Sequence, residues 1–391
     1  MRRSTLVPLL AVLAPLLLLG TIRVTPALGI GLGDLKKKAE DKVKEKVGQK
    51  VPDAAPAEST ANKAEGAGKA TEAKGGETSI TKISSKYDYV PGDKVLLEDD
   101  FSTDPVGEFP VRLRLLTGNF EVAESSGKHW FRLVGDDGQF ELKEITSLPE
   151  RWTFEFDLRA DKQARFEVHG PRADGRQQWW VDFGSHGNDL LVMANGRQSY
   201  TTLSSGDFSG AHHIAFMAMG KSLKIYVDQD RVANIPELEG DMVPGPLTFR
   251  MRWPDANALI TNLRFAEKSE PKPDLLADGP FVTHGIYFDS GSDHVRPESA
   301  PVFRQLAAYL TANAAVRVKI TGHTDDVGSD AANLDLSSRR AAAVAAVLAA
   351  DFGMDASRFE TEGKGETAPI AKNDSPEGRA MNRRVEFEKI K

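Results

Sequence analysis

Cysteine is absent from all 391 residues. This excludes disulfides, zinc–thiolate and iron–sulfur sites, thiol nucleophiles and a lipid-modified N-terminal cysteine. An excess of positive charge is absent too. The 50 Lys+Arg stand against 57 Asp+Glu, a formal net charge of -7, which excludes a basic protein that coats nucleic acid. The apolar run from Leu6 to Gly20 is interrupted by Pro8 and Pro15, and it falls short of the roughly 20 residues needed to cross a bilayer as a helix. At about 150 residues per domain, the length predicts two to three domains.

The amino terminus has the order of a secretory signal. Arg2 and Arg3 precede the apolar run, and Thr25-Pro26-Ala27-Leu28-Gly29 follows with small residues at Ala27 and Gly29. Residues 1–29 are therefore expected to be a signal peptide cut after Gly29, with an uncleaved anchor as the alternative. Loss of Arg2, Arg3 and Arg23 leaves 47 basic against 57 acidic residues, or -10. Export without cysteine suits a bacterial envelope compartment, the periplasm, where oxidising conditions make unpaired thiols a liability.

Residues 30–51 are lysine-rich, with Leu35, Ala39, Val43, Val47 and Val51 recurring every fourth position. A four-residue step drifts around a helix of 3.6 residues per turn. This favours a solvated helix over one that binds anionic lipid or self-associates, so peripheral membrane contact stands as the alternative. From 52 to 86 the chain has almost no large apolar side chain, cannot offset the entropy of folding, and reads as a disordered tether.

Residues 87–267 change to period-two strands. Thr153-Phe154-Glu155-Phe156-Asp157-Leu158 alternates, as do Val181-Asp182-Phe183 and Leu223-Lys224-Ile225-Tyr226-Val227, with turns at Gly135–Gly138, Asn195-Gly196 and Gly220-Lys221. An antiparallel two-sheet sandwich is the economical architecture. Asp99-Asp100-Phe101-Ser102, Pro105 to Pro110, Trp152 to Leu158, His213 to Val227 and Ile260 to Phe265 resemble concanavalin A-like lectin/glucanase jelly rolls. Glycosidases of that fold carry three carboxylates on one strand. Here Glu155 and Asp157 supply two, while Arg159 and Ala160 occupy the possible third positions. With Phe154, Phe156 and Leu158 facing the core, Glu155 and Asp157 are expected to face outward, and no catalytic residue is assigned. Of Trp179 and Trp180, alternation sends one into the core and leaves the other able to stack on a sugar.

After a Pro- and Asp-bearing linker at 268–279, residues 280–391 alternate strands and helices. The pattern predicts a strand at Ile286-Tyr287-Phe288 and a helix over Pro297–Leu310 with Ser299 as N-cap and Pro301 in its first turn. A strand at Val316–Ile320 ends at Gly322. A second helix follows, with Leu334, Ala341, Val344, Ala345 and Leu348 on its apolar face, stopping near Gly353, and then strands at Arg358–Glu362 and Arg384–Lys389. Asn333 and Arg340 are seven residues apart and fall within about 20° of each other on the second helix. Asp325 lies at the mouth of the strand before it. A carboxylate, an amide and a guanidinium converging there suit a zwitterion: the acid takes an ammonium and the arginine a carboxylate.

The stretch Gly322-His323-Thr324-Asp325-Asp326-Val327-Gly328, Asn333, then Leu336-Ser337-Ser338-Arg339-Arg340-Ala341 resembles the OmpA-like peptidoglycan-binding domain. Phe288-Asp289, Gly363-Lys364-Gly365-Glu366, Pro369 and Glu377 to Glu386 extend the resemblance over 280–391. It implies noncovalent binding of the diaminopimelate of the peptidoglycan stem peptide. Asp325 would receive the ammonium and Arg340 the carboxylate, with Asn333, Asp289, Thr324 and Arg383 lining the pocket. His323, with no nucleophile or metal-ligand partner at suitable spacing, reads as structural. The expected whole is a multidomain, non-catalytic envelope protein, without cofactor or metal, associated with the outer membrane. Its antiparallel β-sandwich, jelly-roll-like, is followed by an α/β OmpA-like domain. The sandwich would serve structural, glycan or protein contacts; the alternative is a wall-anchored glycan hydrolase or a lectin.

Overall fold

A computed structural model describes residues 87–390, apart from 161–164, 174–175, 185–188, 204–209, 240–243, 253–257, 271–273 and 278. The expected signal peptide, lysine-rich helix and tether lie outside the described residues. Alternating side chains in the first half build two large antiparallel sheets. The first runs Asp230–Ile235, Ser222–Val227, His212–Met219, Arg151–Ala160, Ala258–Glu267, Lys128–Leu133 and Phe120–Ser125, and Lys94–Asp99 also pairs with Ala258–Glu267. The second runs Arg197–Thr202, Asp189–Ala194, Trp179–Phe183, Arg165–His169, Thr248–Arg252, Asp137–Leu142 and Leu113–Thr117.

The inner faces of these sheets share one aromatic-rich core. Phe154, Phe156 and Phe216 of the first sheet meet Phe166, Trp179, Phe183 and Phe249 of the second, all buried. The ring pairs Phe154–Phe249 and Phe156–Phe166 lie 5.4 and 5.3 Å apart across the sandwich. Full burial of each such side chain stabilises by roughly 1.5–3 kcal/mol. Trp179 is the core-facing member of the tryptophan pair. Trp180 lies on the outer side, its ring 6.1 Å from that of His169.

The remaining chain forms a third sheet in the order Phe281–Thr283, Val385–Ile390, Arg317–His323 and Phe359–Gly365, with Arg317–His323 and Phe359–Gly365 parallel. Among the described residues three α-helices accompany it: α1 (Ala300–Ala312), α2 (Asp330–Ala350) and α3 (Pro376–Asn382). Several sequence expectations need correction. Ile286-Tyr287-Phe288 is not a strand; only Phe288 makes an isolated bridge, to Val295, and the strand instead lies at Phe281–Thr283. Ser299 sits at the N-cap of α1 without a capping side-chain bond, because its hydroxyl accepts from the Tyr287 amide at 2.8 Å. Leu334 is exposed rather than part of the apolar face of α2, where Asn333 and Ser337 are buried beside Ala341, Val344 and Leu348.

The first half of α2 lies so close to the sheet that side chains have no room. A Cβ on Gly322 would run into the carbonyl oxygen of Ser337, and one on Gly363 would run into Ser338. The Ser337 hydroxyl then accepts the Gly365 amide at 2.8 Å. These glycines seat the helix that carries Asn333 and Arg340.

The outer face of the first sheet is buried as well. Ala215, Met217 and Tyr226 join a second apolar cluster with Tyr87, Tyr89, Leu275, Leu276, Val302 and Phe303. Glu155 does point away from the sandwich core, as alternation requires, yet it is 2% exposed. Its carboxylate accepts from Arg264 Nη1 at 2.8 Å and the Tyr287 hydroxyl at 3.0 Å, and it pairs with His213 Nε2 at 3.1 Å. His213 Nδ1 lies 3.1 Å from Asp157, which also accepts from Asn262 at 2.6 Å. Burial opposes charge on both partners. The hydrogen bond from His213 and the Arg264 charge nevertheless hold Glu155 down at about 2, and bonds to Asp157 and Glu155 lift His213 to about 10.

A histidine raised by folding adds stability that is complete below its unfolded value near 6.5 and is lost as pH rises through about 10. His213→Gln is therefore expected to cost roughly 3 kcal/mol at pH 6, because it leaves buried carboxylates underpaired. In urea titrations the gap from wild type should shrink at pH 10.5; an equal gap at both pH values would refute this assignment. Gly322→Ala is expected to lower stability by about 1–3 kcal/mol in the same assay by forcing α2 off the sheet.

Candidate functional site

The strand Arg317–His323 delivers Thr324 and Asp325 to the start of the loop before α2. Asp325 is 9% exposed. Its Oδ1 accepts the Val327 amide at 3.2 Å, which tightens the loop, and its Oδ2 accepts from Arg383 Nη1 at 2.7 Å. Asn333, buried one turn into α2, donates to the Asp325 carbonyl at 3.2 Å and to the Glu366 carboxylate at 2.6 Å. Ser329 caps the helix by accepting the Ala332 amide. Asn333 thus fixes the loop while Glu366 holds its amide.

Arg340 lies two turns further along the same helix. Its Nε donates to the Ser292 carbonyl at 2.9 Å, and its guanidinium carbon sits 4.8 Å from the centre of the Phe288 ring. Among the described residues no carboxylate pairs with it. Burial pushes its pKa below the ordinary arginine value, against the attraction of Asp325. A half-buried guanidinium held by a carbonyl and an aromatic face, with donors left over, is suited to take a carboxylate from outside.

The six expected site residues do not all converge. Asp325, Asn333 and Arg383 are joined by hydrogen bonds, directly or through the loop backbone. Thr324 is buried with no partner for its hydroxyl among the described residues. Asp289 is largely exposed and pairs with His294 at 2.7 Å, although its turn, closed by the Ser292 amide on the Asp289 carbonyl, presents the Ser292 oxygen to Arg340. His323 is buried with Nε2 3.6 Å from Glu386.

A cavity of about 230 Å³ opens beside this group. Arg340 and Arg383 line it together with Tyr287 and Phe288, and so do Glu98 and Arg264 from the sandwich. Asp325 stands behind Arg383 and does not line it. Sequence reasoning missed Glu98, Arg264 and Glu366. Glu366 falls within Gly363-Lys364-Gly365-Glu366, but nothing local in the sequence marks Glu98 or Arg264, whose place depends on packing between distant segments.

A second recess of about 360 Å³ lies on the outer face of the second sheet, lined by Trp180, His169, Glu167, Thr248, Arg250 and Arg252 among others. Glu167 is buried, pairs with His169 at 2.8 Å and lies 3.3 Å from Arg252.

Residues 287–383 match the OmpA family. The chain is 39% identical over 123 residues to Outer membrane protein A of Bordetella avium, an alignment covering 32% of this chain and 63% of that protein. It is 37% identical over 143 residues to Peptidoglycan-binding protein ArfA of Mycobacterium tuberculosis, covering 34% and 43%. Among solved structures, the peptidoglycan-associated lipoprotein of Burkholderia pseudomallei is 28% identical, covering 29% of this chain and 92% of that one, with a TM-score of 0.26. The chain spans less than two thirds of the length of these curated relatives. Residues 287–383 are an OmpA-family domain, preceded by a sandwich-like pair of sheets that the match does not reach.

Proposed function

We propose that this protein anchors noncovalently to peptidoglycan in the bacterial cell envelope through residues 280–391, without turnover. The observation that carries the reading is Arg340: a partly desolvated guanidinium with no carboxylate partner among the described residues, on the same helix as Asn333 and coupled electrostatically to Asp325. A stem-peptide diaminopimelate would place its carboxylate on Arg340 and its ammonium on Asp325. Thr324, Asn333, Asp289 and Arg383 shape the surround. Relatives named for the outer membrane and for peptidoglycan binding support the same placement, at the periplasmic side of the outer membrane. Each charge-assisted bond contributes roughly 1.5–3 kcal/mol before desolvation, so a single grip is modest and many grips across the wall supply retention.

Domain limits follow the same reading: a sandwich over 87–267, a linker over 268–279 and the wall-binding domain over 280–391, behind a signal peptide, a lysine-rich helix and a tether. Asp325→Ala and Arg340→Ala are each expected to lose cosedimentation with purified peptidoglycan while keeping the wild-type melting temperature within a few degrees. Retained cosedimentation by both would sink the site.

The outward Trp180 beside a polar recess favours a second role, in which the jelly-roll-like sandwich contacts glycan. On a glycan array the wild-type chain should give a signal that Trp180→Ala loses; a blank array would leave the sandwich as a spacer or protein contact.

A further inference from the structure

We propose that Glu98, a residue of the sandwich, tunes the stem-peptide pocket by sharing Arg383 with Asp325. The inference rests on the reading of Asp325 as the ammonium acceptor. Arg383 divides one guanidinium between two carboxylates: Nη1 donates to Asp325 at 2.7 Å and Nη2 donates to Glu98. An ammonium arriving at Asp325 meets a cation already in hydrogen-bond contact with its acceptor. Arg383 yields that contact at lower cost when another anion holds its charge, and Glu98 is that anion.

Glu98 is built into position. Its amide donates to Glu377 Oε1 at 2.8 Å, at the first turn of α3, and Arg112 Nη1 bridges the Glu98 carbonyl at 2.9 Å to the same Glu377 carboxylate. Its Oε2 lies 3.7 Å from Arg264 Nε, and Arg264 is tied to Glu155. Both Glu98 and Arg264 line the cavity shared with Arg340 and Arg383. The strand Lys94–Asp99 therefore brings a charge to the pocket that no residue of the OmpA-family segment supplies, and Glu98 acts as a positioning residue through Arg383.

The test is a double-mutant cycle on the full chain, with a soluble disaccharide stem peptide carrying diaminopimelate titrated by calorimetry. Glu98→Gln leaves Arg383 to Asp325 alone and is expected to weaken binding about tenfold. In an Arg383→Gln background, Asp325 is released and the same Glu98→Gln change should alter affinity less than about twofold. Glu98→Asp keeps the charge and should recover most of the loss. Equal losses in both backgrounds, no loss in either, or Glu98→Asp as weak as Glu98→Gln would overturn the proposal. Asp325→Ala separates the two levels. If it abolishes binding while the cycle is additive, only the role of Glu98 fails; if it leaves binding intact, the pocket reading fails with it.

Discussion

A carboxylate taken out of water must be paired, and at Glu155 that constraint ties the two halves of the described chain together. It is 2% exposed on the outer side of the sandwich, and its three partners draw on both halves of the described chain: Arg264 and His213 from the first sheet, Tyr287 from the segment that precedes α1. Removing a single partner would leave buried charge uncompensated, which costs far more than the intact pair contributes. The apolar cluster of Tyr87, Tyr89, Met217 and Tyr226 with Leu275, Val302 and Phe303 closes water out around it. The ion pairs give the seam its register, and the apolar cluster gives it most of its driving force.

From Glu155 the pairing continues outward to the pocket. Arg264 reaches from Glu155 towards Glu98, Glu98 holds Arg383, and Arg383 holds Asp325. Charges alternate in sign along this path. Arg340 stands apart from it, held by Phe288 and Ser292 and lacking a carboxylate of its own among the described residues. On the proposed reading an incoming zwitterion would meet an open cation at one end and, at the other, an anion whose internal partner has a second carboxylate to turn to.

Legibility in the sequence followed the range of the interactions. The alternation of Phe154, Phe156 and Leu158 places core residues by strand geometry alone, and the spacing of Asn333 and Arg340 places both on one helix. Leu334 misled because the first turns of α2 pack against glycines: what is buried there is Asn333 and Ser337, small or polar residues that fit the close approach to Gly322 and Gly363. Phe281–Thr283 spans three residues and α3 seven, too few for a periodic signal. Ile286-Tyr287-Phe288 is apolar for a reason other than a strand: Tyr287 seals Glu155 and Phe288 backs Arg340. The cover over Glu155 was illegible because Tyr287 is 132 positions away, and Glu98 lies 285 positions from Arg383.

That separation has a mechanical consequence. Two domains joined only by a free linker transmit pulling force through the linker alone. Here the sandwich meets the pocket through Glu98–Arg383, Arg112–Glu377 and the Glu155 cluster, besides the chain connection. The pocket's electrostatics are therefore not a property of residues 287–383 in isolation. The strand Lys94–Asp99, the first turn of α3 and the loop carrying Asp325 must all hold register for Arg383 to be shared.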